Sequence, residues 1–210
     1  MSRLVLMASG NGSNAQAVLD ACASGEIAAH VVAVVSDRAD AAVLQRAERA
    51  GVPAVHVGRR PHESRADYDA RLADIVSGFD PDRVVLLGWM RILTMSFLGW
   101  FPGMVVNVHP ALPGELPGTD AIERAHQQFV DGERDHTGVM VHLVPDEGID
   151  AGPVLAVAVV AMYVDDTLVE LTDRIHDAEH RLVVSTLARA CHALIQRTPH
   201  AQQHPKGIHA

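Results

Sequence analysis

The stretch Leu4-Val5-Leu6-Met7-Ala8-Ser9-Gly10-Asn11-Gly12-Ser13-Asn14-Ala15-Gln16-Ala17-Val18-Leu19 decides the fold class. Its first five residues are apolar without interruption, as a parallel strand covered on both faces requires. Gly10 and Gly12 allow a tight turn, and from Asn14 onward Val18, Leu19 and Cys22 recur at helical spacing. A strand that passes through a glycine loop into a helix aims free backbone N–H groups at the space beyond the strand's carboxyl end, where they attract an anion. A phosphate is the simplest such ligand. Ser13 and Asn14, uncharged and hydrogen-bonding, favour a terminal phosphate over a pyrophosphate. The stretch also fits G-x-G-x-x-A, and Asp37 follows the second strand at the distance of a ribose-binding carboxylate. A dinucleotide site therefore stays open, as does a glycine turn that only joins a strand to a helix.

Outward from this unit the alternation continues. Strand-like runs at 30–35, 54–57, 83–87, 104–108, 139–144 and 153–160 are separated by helix-like stretches at 39–50, 64–78, 119–131 and 166–195. Such alternation predicts α/β architecture: one domain over 1–197, with a mainly parallel sheet and a Rossmann-like N-terminal half. Residues 198–210, with three histidines, two prolines and the sole lysine, read as a disordered tail.

The 210 residues carry a net charge of −9, which argues against a nucleic-acid-coating or polybasic membrane-binding protein. Sixteen of the 17 basic residues are arginine and Lys206 is the single lysine, so neither a P-loop lysine nor a Schiff-base lysine in the core is available. Cys22 and Cys191 lie in Ala-rich helical stretches and read as reduced thiols. The absence of a signal peptide or a long apolar span leads to the expectation of a soluble, cytoplasmic protein, monomeric or homodimeric.

Two further segments carry chemistry. In Met104-Val105-Val106-Asn107-Val108-His109-Pro110, the two-residue period of a strand puts Asn107 and His109 on one face, and Pro110 ends the strand beside them. An amide and an imidazole at a carboxyl strand end stand where open α/β sheets bind ligands, although buried polar residues satisfied by the backbone would look the same. Asp146-Glu147-Gly148-Ile149-Asp150-Ala151-Gly152-Pro153 is a carboxylate-rich loop between two strands, the kind of place where functional acids concentrate; alone, it would read as a solvated turn.

Taken together, Gly10-Asn11-Gly12-Ser13-Asn14, Met90-Arg91-Ile92-Leu93, Asn107-Val108-His109-Pro110, Thr137-Gly138 with Val141-His142, and Asp150-Ala151-Gly152-Pro153 stand in the order and spacing of the phosphoribosylglycinamide formyltransferase family. The chain resembles these folate-dependent enzymes of purine synthesis over about residues 3 to 195. The resemblance implies Asn107, His109 and Asp150 as the catalytic trio. It implies substrate phosphate at Gly12, Ser13 and Asn14, with Arg65 as a further phosphate ligand and Glu179 near the ribose. It implies folate against Met90, Arg91, Ile92 and Leu93 and along the loop from Asp146 to Asp150, with no metal. Arg65 and Glu179 would otherwise read as solvated helix residues. The chain departs from the family pattern at Ala111-Leu112-Pro113-Gly114-Glu115-Leu116-Pro117-Gly118, where a proline falls one place early and Leu116 replaces an aromatic, and at Met140, where a small hydroxylic residue is usual. The Asp loop also reads one residue longer than in some members. These positions border the acceptor amine.

The implied reaction moves a formyl group from 10-formyltetrahydrofolate to the amine of a phosphorylated acceptor, glycinamide ribonucleotide. Asn107 and His109 would stabilise the oxyanion, while Asp150 would favour the imidazolium, raise its pKa and relay protons. The rival readings are a different phosphorylated amine as acceptor, an NAD(P)-binding oxidoreductase built on Asp37, a non-catalytic ligand-binding module, and a metal site drawn from the 13 histidines, which lack a ligand spacing.

Overall fold

The opening apolar run becomes an interior strand because nothing in it needs water: Leu4, Val5, Leu6 and Met7 are fully buried. In the computed structural model, which describes residues 1–197, the elements in chain order are β1 (Ser2–Met7), α1 (Ser13–Ser24), β2 (Ala29–Ser36), α2 (Ala42–Arg49), β3 (Ala54–His56), α3 (Arg65–Ser77), β4 (Arg83–Leu86), α4 (Met95–Leu98), β5 (Val105–His109), α5 (Ala121–Val130), β6 (His136–Leu143), β7 (Val154–Ala161) and α6 (Leu168–Arg197). The expected tail at 198–210 lies outside the described residues. The strands form one sheet in the order β3-β2-β1-β4-β5-β6-β7. The first five pair in parallel, whereas β5 with β6 and β6 with β7 are antiparallel.

Strand alternation divides the core into two layers. Leu4, Leu6, Val34, Val85, Val106 and Val108 pack with α1, α2, α5 and α6 on one side. Val5, Met7, Val35, Val84, Leu86 and Val105 pack with α3 and α4 on the other. Asn107 and His109 share the Val105 side of β5, at its carboxyl end. The sequence expectation covers every element except α4, a four-residue turn tied down where Thr94 N donates to Asp69 Oδ2 at 2.6 Å. Four residues are too few to show a helical period. Cys22 and Cys191 are free thiols, and burial pushes the Cys22 thiol up to about 11. Among the described residues no helix is long and apolar enough to cross a membrane.

Candidate active site

The carboxyl ends of β1, β4 and β5, the 146–150 loop and one face of α6 enclose a cleft of about 720 Å³. The switch in strand order between β1 and β4 lies at its floor, where open α/β sheets place ligands.

At one end stands the glycine loop. Gly12 caps α1 with φ 76°, and a Cβ there would collide with the Val43 side chain, so both the conformation and the contact with α2 require glycine. Arg46 fixes the preceding turn by donating from Nε to Asn11 O at 2.8 Å and from Nη2 to Asn11 Oδ1 at 2.6 Å. Asn14 Nδ2 donates to Glu179 Oε2 at 3.1 Å, while Asn14 Oδ1 is buried without a partner. Burial raises the pKa of the Glu179 carboxyl, against the Asn14 amide and His176, which favour its charge. Gly12, Ser13, Asn14 and Glu179 thus share one wall, together with His176, which the sequence reading did not single out. Position 176 lies one helical turn before Glu179, and that spacing is the signal that could have found it.

At the other end, Asn107, His109 and Asp150 converge. Asp150 Oδ1 accepts from Asn107 Nδ2 at 3.1 Å, Oδ2 accepts from Gly118 N at 2.9 Å, and Oδ2 lies 3.3 Å from His109 Nδ1. His109 Nε2 donates to Leu116 O at 3.0 Å. With an acceptor at each ring nitrogen, the two contacts of His109 are satisfied together only by the imidazolium. His142, also missed as a site residue, sits opposite Asn107 in the β5–β6 register. Its Nδ1 lies 2.9 Å from Leu143 O, an acceptor only, so Nδ1 carries the hydrogen and Nε2 accepts from Asn107 Nδ2 at 3.1 Å. Both Asn107 amide hydrogens are therefore held inside the cluster.

The electrostatics differ from expectation in one respect. Burial lowers the pKa of the His109 imidazolium more than the Asp150 charge and the Leu116 carbonyl raise it, so the net shift is downward rather than upward. Asp150 runs the opposite way: burial opposes its charge, yet the hydrogen bonds it accepts, that from Gly118 N–H among them, and the His109 charge outweigh it and hold the carboxyl below its ordinary value.

The third wall is 88–93. Met90 N donates to Ser9 Oγ at 2.9 Å, and Arg91, Ile92 and Leu93 continue along the cleft, which Asp146 also lines. Arg91 Nε donates to Asp37 Oδ2 at 2.9 Å, and its guanidinium lies over the Tyr68 ring. This pair occupies the carboxylate that a dinucleotide ribose would need, and Asp37 is not among the residues lining the cleft. The structure does not bring Arg65 to the glycine loop either. Its Nη2 donates to Ile92 O at 2.8 Å, and it lines a separate pocket of about 280 Å³ with Arg59, Tyr68 and Arg91. The reach of an arginine at the head of α3 is set by the 88–93 turn, which spacing in the sequence does not reveal. Among the described residues no group of three His, Cys, Asp or Glu side chains is arranged to hold a metal ion.

The formyl transferase family profile matches residues 2–187. The phosphoribosylglycinamide formyltransferase of Escherichia coli (strain K12) is 38% identical over 188 residues, covering 88% of this chain and 86% of that protein. Its namesake in Dictyostelium discoideum is 34% identical over 197 residues, covering 88% of this chain and 95% of its own length. Among solved structures, glycinamide ribonucleotide transformylase 1 from Symbiobacterium toebii superposes with a TM-score of 0.86 at 37% identity, covering 92% of this chain and 89% of the other. The corresponding protein from Geobacillus kaustophilus gives a TM-score of 0.84 at 38% identity, covering 91% and 99%.

Proposed function

Because the chain belongs to the formyl transferase family, we propose that it moves the formyl group of 10-formyltetrahydrofolate to the amine of glycinamide ribonucleotide, in the cytoplasm, through a single domain spanning 1–197. The observation that carries this reading is the convergence of Asn107, His109 and Asp150 in the cleft that also holds Gly12, Ser13 and Asn14. A phosphorylated acceptor anchored at the glycine loop would extend its amine toward the trio, with its ribose hydroxyls near Glu179 and Asn14 Oδ1. The wall of Leu87, Ile92, Leu93 and Val144 with Trp89, whose Nε1–H is buried without a partner, suits a flat heterocycle with polar edges.

The folate supplies the activated formyl carbon, and the protein's groups manage charge and protons around it. Asn107 turns one amide hydrogen from His142 or Asp150 to the formyl oxygen, where negative charge develops; a donor of this kind is worth about 100- to 1000-fold in rate. His109 as imidazolium strengthens the same stabilisation. Asp150 stands beside it to take up the proton that the amine sheds as its nitrogen bonds to the formyl carbon, and that proton ends on the departing folate nitrogen. Purified protein supplied with 10-formyltetrahydrofolate and a panel of amines should formylate glycinamide ribonucleotide with release of tetrahydrofolate. Folded protein that binds folate but leaves glycinamide ribonucleotide unchanged while formylating another phosphorylated amine would overturn the acceptor assignment.

A further inference from the structure

The segment 116–118 touches both titratable members of the trio. Leu116 O accepts from His109 Nε2 at 3.0 Å, and Gly118 N donates to Asp150 Oδ2 at 2.9 Å. Two peptide groups in one turn therefore set the His109–Asp150 geometry from the side away from β5. The turn does not hold itself: Leu116 has φ 45°, in the left-handed region that non-glycine residues avoid, and Pro117 offers no N–H. Its anchor is on α5. Arg124 Nη2 donates to Leu116 O at 2.9 Å and to Pro117 O at 2.8 Å, so the Leu116 carbonyl is shared between Arg124 and His109. Glu115, just before the turn, is held separately by Arg134. This is the same 111–118 stretch in which the chain departs from the family pattern.

We propose that Arg124 is a positioning residue for formyl transfer: by gripping the Leu116 and Pro117 carbonyls, it aims Leu116 O at His109 and Gly118 N–H at Asp150. The assignment rests on the formyl-transfer reading for its rate effect, but its geometric half stands on the protein alone. The charged or titratable groups around the His109 ring are Asp150, His142 and Arg124. The Arg124 charge itself works against a cationic His109. A role in charge and a role in positioning therefore make opposite forecasts. Loss of the Leu116 acceptor lowers the His109 pKa, whereas loss of a neighbouring positive charge raises it.

Arg124→Gln removes the charge and the fork; Arg124→Lys keeps the charge and loses the two-carbonyl grip. In both variants kcat should fall roughly 10- to 100-fold, as a misplaced catalytic group implies. The KM values should stay within about threefold, because the glycine loop and the 88–93 wall are untouched. NMR titration of the His109 ring in the substrate-free proteins should show its pKa moved down in Arg124→Lys, where the charge is kept and only the grip on the Leu116 carbonyl is lost. A rise in Arg124→Gln with no change in Arg124→Lys would overturn positioning in favour of charge. Parental kcat in a folded Arg124→Lys protein would overturn it outright. If the parental protein transfers no formyl group, the function assignment fails instead, and the ring titration alone still decides whether Arg124 positions His109.

Discussion

The Asp150 carboxylate divides its oxygens between Asn107 on one side and Gly118 and His109 on the other, so its charge and its shape both serve the cluster. Asp150→Asn separates the two. Its φ of 50° lies in the left-handed region that asparagine tolerates well, and the amide oxygen can still accept the Gly118 N–H. What is lost is the negative charge, the proton acceptor and, with an NH2 in place of Oδ1, the bond from Asn107 Nδ2. We expect kcat to fall by about 100- to 10,000-fold, the span of general acid–base contributions, with both KM values changed far less. The pH dependence should move with it. Burial already holds the His109 pKa below its ordinary value of 6.5, and removing the Asp150 charge takes away the largest opposing influence, so the apparent pKa of the reaction should drop further. A folded Asp150→Asn protein with near-parental kcat and an unchanged pH profile would return the loop to the status of a solvated turn.

Helix α6 carries Glu179 against α1, and the pair of elements buries a carboxyl at a cost to stability. The carboxyl is buried, its pKa is raised above the ordinary 4.5, and its neighbour Asn14 Oδ1 has no donor. A carboxyl with a raised folded-state pKa favours folding fully below its unfolded value; that contribution is lost as pH rises through the folded value. Glu179→Gln removes the buried charge and brings N–H donors beside Asn14. The free protein should gain roughly 1 kcal/mol at pH 7, within the range of single stabilising changes, which for a chain of this size is about 2–4 °C in Tm. The gain should shrink toward pH 4.5, while the KM for the phosphorylated acceptor rises. Thermal melts across that window check it, and a variant destabilised at pH 7 would remove the burial argument. The elements themselves were legible in the sequence because β-branched runs and helical stripes declare their period. The antiparallel turn at β6 and β7 was not, since a strand apolar on both faces carries no direction. Without that register nothing set His142 opposite Asn107, although the two-residue period alone had paired Asn107 with His109 correctly. Asp37 was misleading for a related reason: its distance along the chain suits a ribose ligand, but a loop 54 residues later brings Arg91 to it.

At the scale of the whole molecule, the cleft draws on the first strand–helix unit, the interior strand β5, the 146–150 loop and the last helix, with the sheet order bringing them together at the carboxyl ends of its interior strands. The Asn14–Glu179 bond joins residues 165 apart in sequence. That separation has a kinetic meaning. Closing a loop costs entropy that grows with its length, by about 0.6 kcal/mol per doubling, and contacts between chain ends are rewarded only after the intervening parts have found their places. The β1–β2 and β2–β3 pairs join neighbouring segments, whereas β1 must reach β4 far along the chain, and the wall around Asn14 and Glu179 waits longer still, for α6 to dock on α1. Refolding should therefore recover helical ellipticity before it recovers acceptor binding, and the lag between the two signals should lengthen when the Asn14–Glu179 contact is weakened. Simultaneous recovery of both signals would show that the two ends meet early. On this account, competence to bind the acceptor reports that the chain has completed its last long-range step.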